Sequence, residues 1–126
     1  MALTIGMVAH DRKKPDLAAW AQAHLALIAR HKVVATATTG SVLQRAAPDL
    51  PIKLVKSGPL GGDQQIGAMI AQGELDVLLF FPDPLEAQPH DVDVKALLRL
   101  VLVYDIPGAF SPRTATGLAR SGLFEA

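Results

Sequence analysis

Residues 77–81 of the sequence read VLLFF, five apolar residues with no polar residue among them. A strand of a parallel sheet is covered by helices on both faces, so a short continuous apolar run is typical of it. Similar short runs occur at residues 3–9 (LTIGMVA), 32–36 (KVVAT), 52–55 (IKLV) and 107–110 (PGAF). We therefore predict a mostly parallel sheet of five strands, with residues 77–81 in a buried central strand.

Longer amphipathic segments separate these runs and predict helices. The predicted helices span residues 15–30, a stretch carrying Val42, Leu43 and Ala46, and residues 62–72, 93–104 and 114–120. Alternating strands and helices are typical of a doubly wound, Rossmann-like α/β fold, and 126 residues suit a single domain over 1–126. Ligands of such folds bind at the carboxyl ends of the strands, so we expect the polar turns there to converge on one edge.

The overall composition argues against several classes of partner. Lys and Arg together number 12, as do Asp and Glu, so the basic excess of a nucleic-acid-binding protein is missing. The apolar runs are far shorter than the roughly 20 residues of a membrane-spanning helix. There is no cysteine, and the first residues lack the pattern of a signal peptide. We expect a cytoplasmic protein with no nucleic-acid or membrane partner.

The turn after the second predicted strand reads TATTG, residues 36–40. Hydroxyl groups and backbone N–H groups at the start of a helix suit a phosphate, and Lys14 can add a positive charge. The same threonines can equally be ordinary helix caps, and most lysines beside turns are simply solvated. The pattern matches neither a P-loop nor GxGxxG, so it indicates neither a nucleoside triphosphate nor a dinucleotide.

The stretch SGPLGGDQQ, residues 57–65, follows the third predicted strand. Its glycines allow close approach of a ligand to the backbone, where Ser57 and Gly58 can donate hydrogen bonds. Asp63 falls near the first turn of the next predicted helix. A carboxylate there can cap the helix or serve as a general base, and the local pattern leaves both alternatives open.

The loop after residues 77–81 contains one histidine among several acids: Asp83, Glu86, His90, Asp91 and Asp93. The acids are scattered and no second histidine lies at ligand spacing, so we expect no metal. We expect His90 to donate a hydrogen bond or to move a proton, and Asp91 is a candidate cap. His10 and Asp11 follow the first strand and can face the same edge. His24 and His31 have the positions of surface or packing residues.

Five segments together resemble the methylglyoxal synthase family, in family order and at family spacing. They are VAHDRKK (8–14), ATATTG (35–40), SGPLGGDQQIGA (57–68), LLFFPDP (78–84) and PHDVDVKALLRL (89–100). The twelve-residue match at 57–68 is the specific one. The resemblance implies that a homohexamer of small α/β subunits converts dihydroxyacetone phosphate to methylglyoxal and inorganic phosphate, without metal or cofactor.

The resemblance also implies a role for individual residues. Asp63 takes the place of the catalytic carboxylate that removes a proton next to the substrate carbonyl. His90 corresponds to the histidine that hydrogen-bonds the substrate oxygens, and His10 to another substrate contact. The phosphate-binding positions are Lys14, Thr36, Ala37, Thr38, Thr39, Ser57 and Gly58. Supporting roles fall to Asp11, Asp93 and Gly62.

The sequence departs from the family pattern in three places. Ala37 replaces a glycine and would restrict the turn if that position needs a positive φ. Residues 108–117 differ from the usual stretch, and longer members carry a C-terminal arginine for which Arg113 or Arg120 can substitute. Two alternatives remain beside the synthase. One is a non-catalytic allosteric ligand-binding domain of the same fold, and the other is an isomerase or aldolase acting on a small phosphorylated sugar.

Overall fold

Strands and helices alternate along residues 2–86 and 91–125, which are the residues described by the computed structural model. The strands are β1 (Thr4–Ala9), β2 (Lys32–Thr36), β3 (Ile52–Val55), β4 (Val77–Phe81) and β5 (Gly108–Ala109). The helices are α1 (Lys14–Ala23), α2 (Leu25–Ile28), α3 (Ala37–Ala46), α4 (Gly62–Ala71), α5 (Asp91–Tyr104) and α6 (Pro112–Arg120). Short 3₁₀ helices lie at Asp11–Lys13, Gly58–Leu60 and Leu123–Glu125.

The five strands form one sheet in the order β3-β2-β1-β4-β5, and every neighbouring pair is parallel. Ile5 in β1 lies opposite Val33 of β2 on one side and Val77 of β4 on the other. The predicted doubly wound sheet is therefore confirmed, with all of its strands parallel. The chain adds β2 and β3 on one side of β1 and then β4 and β5 on the other side. The direction of winding therefore reverses between β1 and β4. A ligand site is expected at that point.

The core lies in two layers, one on each face of the sheet. Alternate residues of β4 point in opposite directions, so Val77, Leu79 and Phe81 pack with apolar residues of α1, α3 and α6. Leu78 and Phe80 pack with those of α4 and α5. All five residues of β4 are buried, because helices cover both of its faces. This double coverage explains the unbroken apolar run at residues 77–81.

The predicted helix 15–30 is wrong in its continuity, because the helix breaks at His24 into α1 and α2. The backbone of His24 leaves the helical region, with φ −114° and ψ 20°. Its ring stacks on Trp20 with centroids 4.4 Å apart, and its Nδ1 lies 2.8 Å from the carbonyl oxygen of Trp20. The backbone N–H of His24 donates to the same carbonyl oxygen at 3.1 Å.

Helix α5 exposes apolar side chains as well as burying them. Leu97 and Val101 are buried against the sheet. Leu98, Leu102 and Val103 are 40%, 71% and 66% exposed. Lys95 and Arg99 of the same helix are exposed as well, so its outer surface is mixed. Among the residues that the structure describes, no helix combines the length and apolar character needed to cross a membrane.

His31, which the sequence placed at the surface or in packing, is a buried packing residue with two hydrogen bonds. It is 3% exposed, and its Nδ1 accepts a hydrogen bond of 2.9 Å from the backbone N–H of Leu3. Its Nε2 therefore carries the proton and donates to the carbonyl oxygen of Phe124 at 2.6 Å. The ring joins the start of the sheet to the last short helix at the amino edge, opposite the expected ligand site.

Candidate active site

A pocket of about 190 Å³ opens at the carboxyl edge of the sheet, beside the ends of β1 and β2. This is smaller than the roughly 300–1,000 Å³ of pockets for drug-sized ligands, so it suits a small metabolite. The predicted site residues that line it are His10, Asp11, Lys14, Thr36, Thr38, Gly58 and Asp63. The lining residues that the sequence analysis did not assign to the site are Val8, Ala9, Pro59 and Glu86. The structure thus brings together residues from four separate turns.

The predicted turn TATTG is the first turn of a helix, because α3 begins at Ala37 directly after β2. Thr36 occupies the N-cap position but makes no capping hydrogen bond with its side chain. Its hydroxyl instead donates to Oγ1 of Thr39 at 3.0 Å. The first N–H groups of a helix have no acceptor within the helix, so this end of α3 offers donors to an anion. The capping alternative does not account for Thr36.

Thr39 joins the start of α3 to the end of β1. Its side-chain oxygen accepts a hydrogen bond from the N–H of Ala9 at 3.2 Å and donates to the carbonyl oxygen of Ala9 at 3.3 Å. The residue is 1% exposed and does not line the pocket. Its hydroxyl therefore holds the threonine turn in place from behind, whereas Thr36 and Thr38 line the pocket itself.

Ala37 does not restrict the turn in the way the sequence suggested. A non-glycine residue with positive φ occurs in the described chain only at Asp105, so Ala37 has an ordinary negative φ. It is the first residue of α3, where an alanine is well tolerated. The condition under which Ala37 would restrict the turn, a positive φ, is thus not met.

Lys14 supplies the positive charge of the pocket. It begins α1, with Pro15 fixing the first turn, and it is only 9% exposed. Its Nζ donates to Oδ1 of Asp11, whose own side chain is 95% exposed. A buried ammonium group needs a partner, and Asp11 provides one at the rim. Of the described residues lining the pocket, Lys14 alone carries a positive charge.

The glycine-rich stretch positions Asp63. After the 3₁₀ helix Gly58–Leu60, Gly61 adopts a left-handed conformation with φ 106° and serves as the N-cap of α4. Asp63 is therefore one residue beyond the start of α4, and the alternative that it is the N-cap residue is wrong. A Cβ on Gly62 would lie 1.8 Å from the carbonyl oxygen of Lys56, so only glycine fits there. The turn fixes the direction of the α4 axis. It thereby also fixes the position of Asp63 at the start of that helix.

Asp63 is 8% exposed and has an apolar side as well as a polar one. A Cβ on Gly58 would lie 3.4 Å from its Oδ1, so the carboxylate packs closely against the Gly58 backbone. Behind it, between α4 and α5, a groove of about 320 Å³ is lined mainly by apolar residues such as Gly67, Leu97 and Leu100. The carboxylate thus faces the pocket with limited access to bulk water, which suits a general base.

His10 is held firmly at the end of β1. Its backbone N–H donates to the carbonyl oxygen of Phe81 at 3.1 Å, and its ring meets Phe80 edge-on with centroids 5.5 Å apart. The backbone N–H of Asp83 donates to Nδ1 of the ring at 2.9 Å. Because Nδ1 accepts a hydrogen bond, the neutral ring carries its proton on Nε2. His10 therefore presents Nε2 as its donor.

The remaining predicted residues lie beside the pocket or outside the described residues. Ser57 and Gly62 flank the glycine turn without lining the pocket. Arg113 and Arg120 are exposed on α6 and do not line it either. His90 lies outside the described residues, and so do the side chains of Asp91 and Asp93. Within residues 2–86 and 91–125, no three His, Cys, Asp or Glu side chains are grouped in a way that could hold a metal ion.

These features define a small α/β domain that offers a phosphate-suited helix end and a buried carboxylate at the reversal point of its sheet. A family model described as the MGS-like domain matches residues 16–110. Methylglyoxal synthase of Brucella ovis is 59% identical over 119 residues, which are 94% of this chain and 95% of that protein. Methylglyoxal synthase of Rhizobium etli is 59% identical over 114 residues, 90% of each chain.

A solved structure gives the same result for the fold. Methylglyoxal synthase from Elizabethkingia anophelis matches with a TM-score of 0.87 and 49% identity, over 93% of this chain and 76% of that one. The similarity extends over nearly the whole sequence. The chain belongs to the methylglyoxal synthase family.

Proposed function

We propose that this chain converts dihydroxyacetone phosphate to methylglyoxal and inorganic phosphate. One observation carries the proposal: buried Asp63 lies in the same pocket as Lys14 and the first turn of α3. A triose phosphate has a dianionic phosphate at one end and an acidic C–H bond beside a ketone near the other. A pocket with an anion site and a base suits both ends of that molecule.

The proposed reaction is an elimination that begins with proton removal. The Asp63 carboxylate takes a proton from the carbon that bears the free hydroxyl group. This carbon and the former ketone carbon then form an enediolate. The hydroxyl group of the enediolate then gives up its proton to the leaving phosphate and becomes the aldehyde oxygen, while its electrons shift through the carbon–carbon double bond and break the bond between the other carbon and the phosphate oxygen. The resulting enolate takes up a proton at its terminal CH₂ group and becomes methylglyoxal.

Hydrogen-bond donors must stabilise the charge in both steps. A proton next to a ketone is too weakly acidic for a free carboxylate, and preorganised donors at the developing oxyanion contribute roughly 3–4 kcal/mol each. We assign this role to Nε2–H of His10 and to His90. Lys14, Thr36, Thr38 and the first N–H groups of α3, with Ser57 and Gly58, would bind the phosphate and stabilise it as the leaving group. We assign Ala37 to the same phosphate site, and Asp11, Asp93 and Gly62 to supporting roles.

The reaction is tested by following both products from dihydroxyacetone phosphate with purified protein. We expect phosphate and a dicarbonyl to form in equal amounts and at equal rates, in the presence of a chelator as well as without it. Formation of glyceraldehyde phosphate would indicate an isomerase instead. Tight binding of phosphate with no product at any substrate concentration would overturn the proposal in favour of a ligand-binding domain.

We further propose that the chain acts as a homohexamer in the cytoplasm. The exposed apolar face of α5, with Leu98, Leu102 and Val103, supports contact with a second copy, and the absence of cysteine suits a reducing compartment. Light scattering is expected to give six chains of 13.3 kDa. Leu102→Glu should dissociate the assembly, whereas Arg120→Glu, on the other face of the sheet, should not. A monomeric wild-type protein at micromolar concentration would contradict this arrangement.

A further inference from the structure

Two groups with opposite requirements lie beside the same nitrogen of His10. The backbone N–H of Asp83 donates to Nδ1 at 2.9 Å. Oε2 of Glu86 lies 3.5 Å from that nitrogen. An N–H group needs Nδ1 without a proton, whereas a carboxylate needs Nδ1 with one. The protonation state of the ring therefore decides which of the two can be its partner.

The turn after β4 brings both groups to His10. The N–H of Leu85 donates to Oδ1 of Asp83 at 3.0 Å, and the N–H of Glu86 donates to the carbonyl oxygen of Asp83 at 3.3 Å. These bonds fold residues 83–86 back toward the end of β1. Glu86 then lines the pocket with its side chain 41% exposed, while the side chain of His10 is 11% exposed. The half-exposed Glu86 carboxylate thus lies beside the buried ring, close to Nδ1.

The charges around His10 come from three segments of the described chain. Asp11 and Lys14 follow β1 and pair with each other, and Asp63 reaches the pocket from α4. Asp83 and Glu86 belong to the turn after β4, and Glu86 is the carboxylate within 4 Å of a ring nitrogen of His10 in the described residues. Within the described part of the chain, Glu86 is therefore the acidic residue whose removal is expected to act directly on the His10 ring.

We propose that Glu86 is a positioning residue for His10. When the ring is protonated, the Glu86 carboxylate replaces the Asp83 N–H as the hydrogen-bond partner of Nδ1. The inference rests on the proposed function, in which Nε2–H of neutral His10 donates to the substrate. In the neutral state the Asp83 N–H fixes the ring and its tautomer. On protonation Nδ1–H donates to Glu86, and the Asp83 N–H loses its acceptor. The turn then shifts, and the enzyme loses activity at acid pH.

The first test is an NMR titration of the ring nitrogens in ¹⁵N-labelled protein without substrate, with the His10 signals assigned through His10→Gln. At neutral pH we expect Nδ1 without a proton and Nε2 with one. In Glu86→Gln, removal of the opposite charge should lower the titration midpoint of His10 by about 0.5 to 1 pH unit, allowing for solvent screening of a half-exposed group. The control Glu74→Gln, at an exposed position away from the pocket, should leave the midpoint unchanged.

The second test is the pH profile of kcat/KM for the same variants. We expect the acid limb of Glu86→Gln to move to lower pH together with the His10 midpoint, and that of Glu74→Gln to stay in place. Equal His10 midpoints in wild type and Glu86→Gln would overturn the proposal, and so would a shifted midpoint with an unmoved acid limb. Wild-type protein that forms no methylglyoxal would instead overturn the proposed function, while the titration still measures the effect of Glu86 on His10.

Discussion

At the scale of single residues, the environment of the Asp63 carboxylate depends on its position in the backbone. It is buried, it lies one residue inside α4, and it shares the pocket with Lys14. The adjacent helix end favours the ionised carboxylate, which is the form a base needs, while the burial of the side chain limits access of water. Its place in the first turn therefore agrees with its proposed catalytic role.

Asp63→Asn is expected to lower kcat at least about 100-fold, since a positioned general base contributes roughly 10²–10⁴ to rate. The amide keeps the shape of the side chain, so phosphate affinity measured by calorimetry should change little. The control Asp49→Asn, at an exposed position before β3, should keep wild-type kinetics. A near-normal kcat in Asp63→Asn would show that another carboxylate is the base, and Asp11, Asp91 and Asp93 would then be tested.

Residue types and their order were sufficient to predict most of the described pocket. The sequence placed Asp63, Lys14 and Thr36 after neighbouring strands, and parallel strands bring such residues to one edge. Sequence could not predict that the hydroxyl of Thr39 turns back to Ala9, because a side-chain direction depends on tertiary packing. Glu86 was counted among the loop acids but not in the site, since the turn that points it to His10 depends on hydrogen bonds to Asp83.

At the scale of secondary-structure elements, the turn before α4 requires a glycine at position 62. In Gly62→Ala the new methyl group would lie 1.8 Å from a backbone oxygen that cannot move independently. We expect a loss of at least about 2 kcal/mol in the free energy of unfolding, within the range for overpacking. The expected kcat is also lower, because the strain falls next to Asp63.

The matched control is Gly117→Ala in α6, where no atom lies within 4 Å of the added Cβ. That variant should gain about 0.5 to 1 kcal/mol, because alanine favours a helix more than glycine does. Urea unfolding of both variants measures the difference directly. Equal stability of Gly62→Ala and wild type would mean that the close approach of Gly62 to Lys56 is not a constraint in solution.

Strands were easier to predict than helices for a physical reason. The bounds of β2, β3 and β4 agree with the predicted ones, since each short apolar run ends at a polar or glycine-rich turn. The break at His24 was not predictable from periodicity, because the backbone of a single residue leaves the helical region there. Helix α3 begins earlier than predicted, since threonine and alanine continue directly from β2 into the first turn.

At the scale of the whole molecule, the carboxyl and amino edges of the sheet differ in the kinds of contact that they make. The carboxyl edge gathers polar side chains around the pocket, including the buried Lys14 and Asp63. At the amino edge His31 bonds the backbone of Leu3 and that of Phe124, which lies 93 residues after it in the sequence. Stability and activity should therefore respond separately to changes at the two edges.

His31→Ala tests this separation. It leaves the Leu3 N–H and the Phe124 carbonyl without their described partner, and each unsatisfied buried group costs about 1–3 kcal/mol. We expect the free energy of unfolding to fall by about 2–5 kcal/mol, while kcat and KM, measured well below the unfolding temperature, stay close to wild type. The exposed neighbour Arg30→Ala should change neither property. A kcat that falls in His31→Ala while the protein remains fully folded would mean that the C-terminal segment acts on the pocket through the sheet, and that the two edges are coupled.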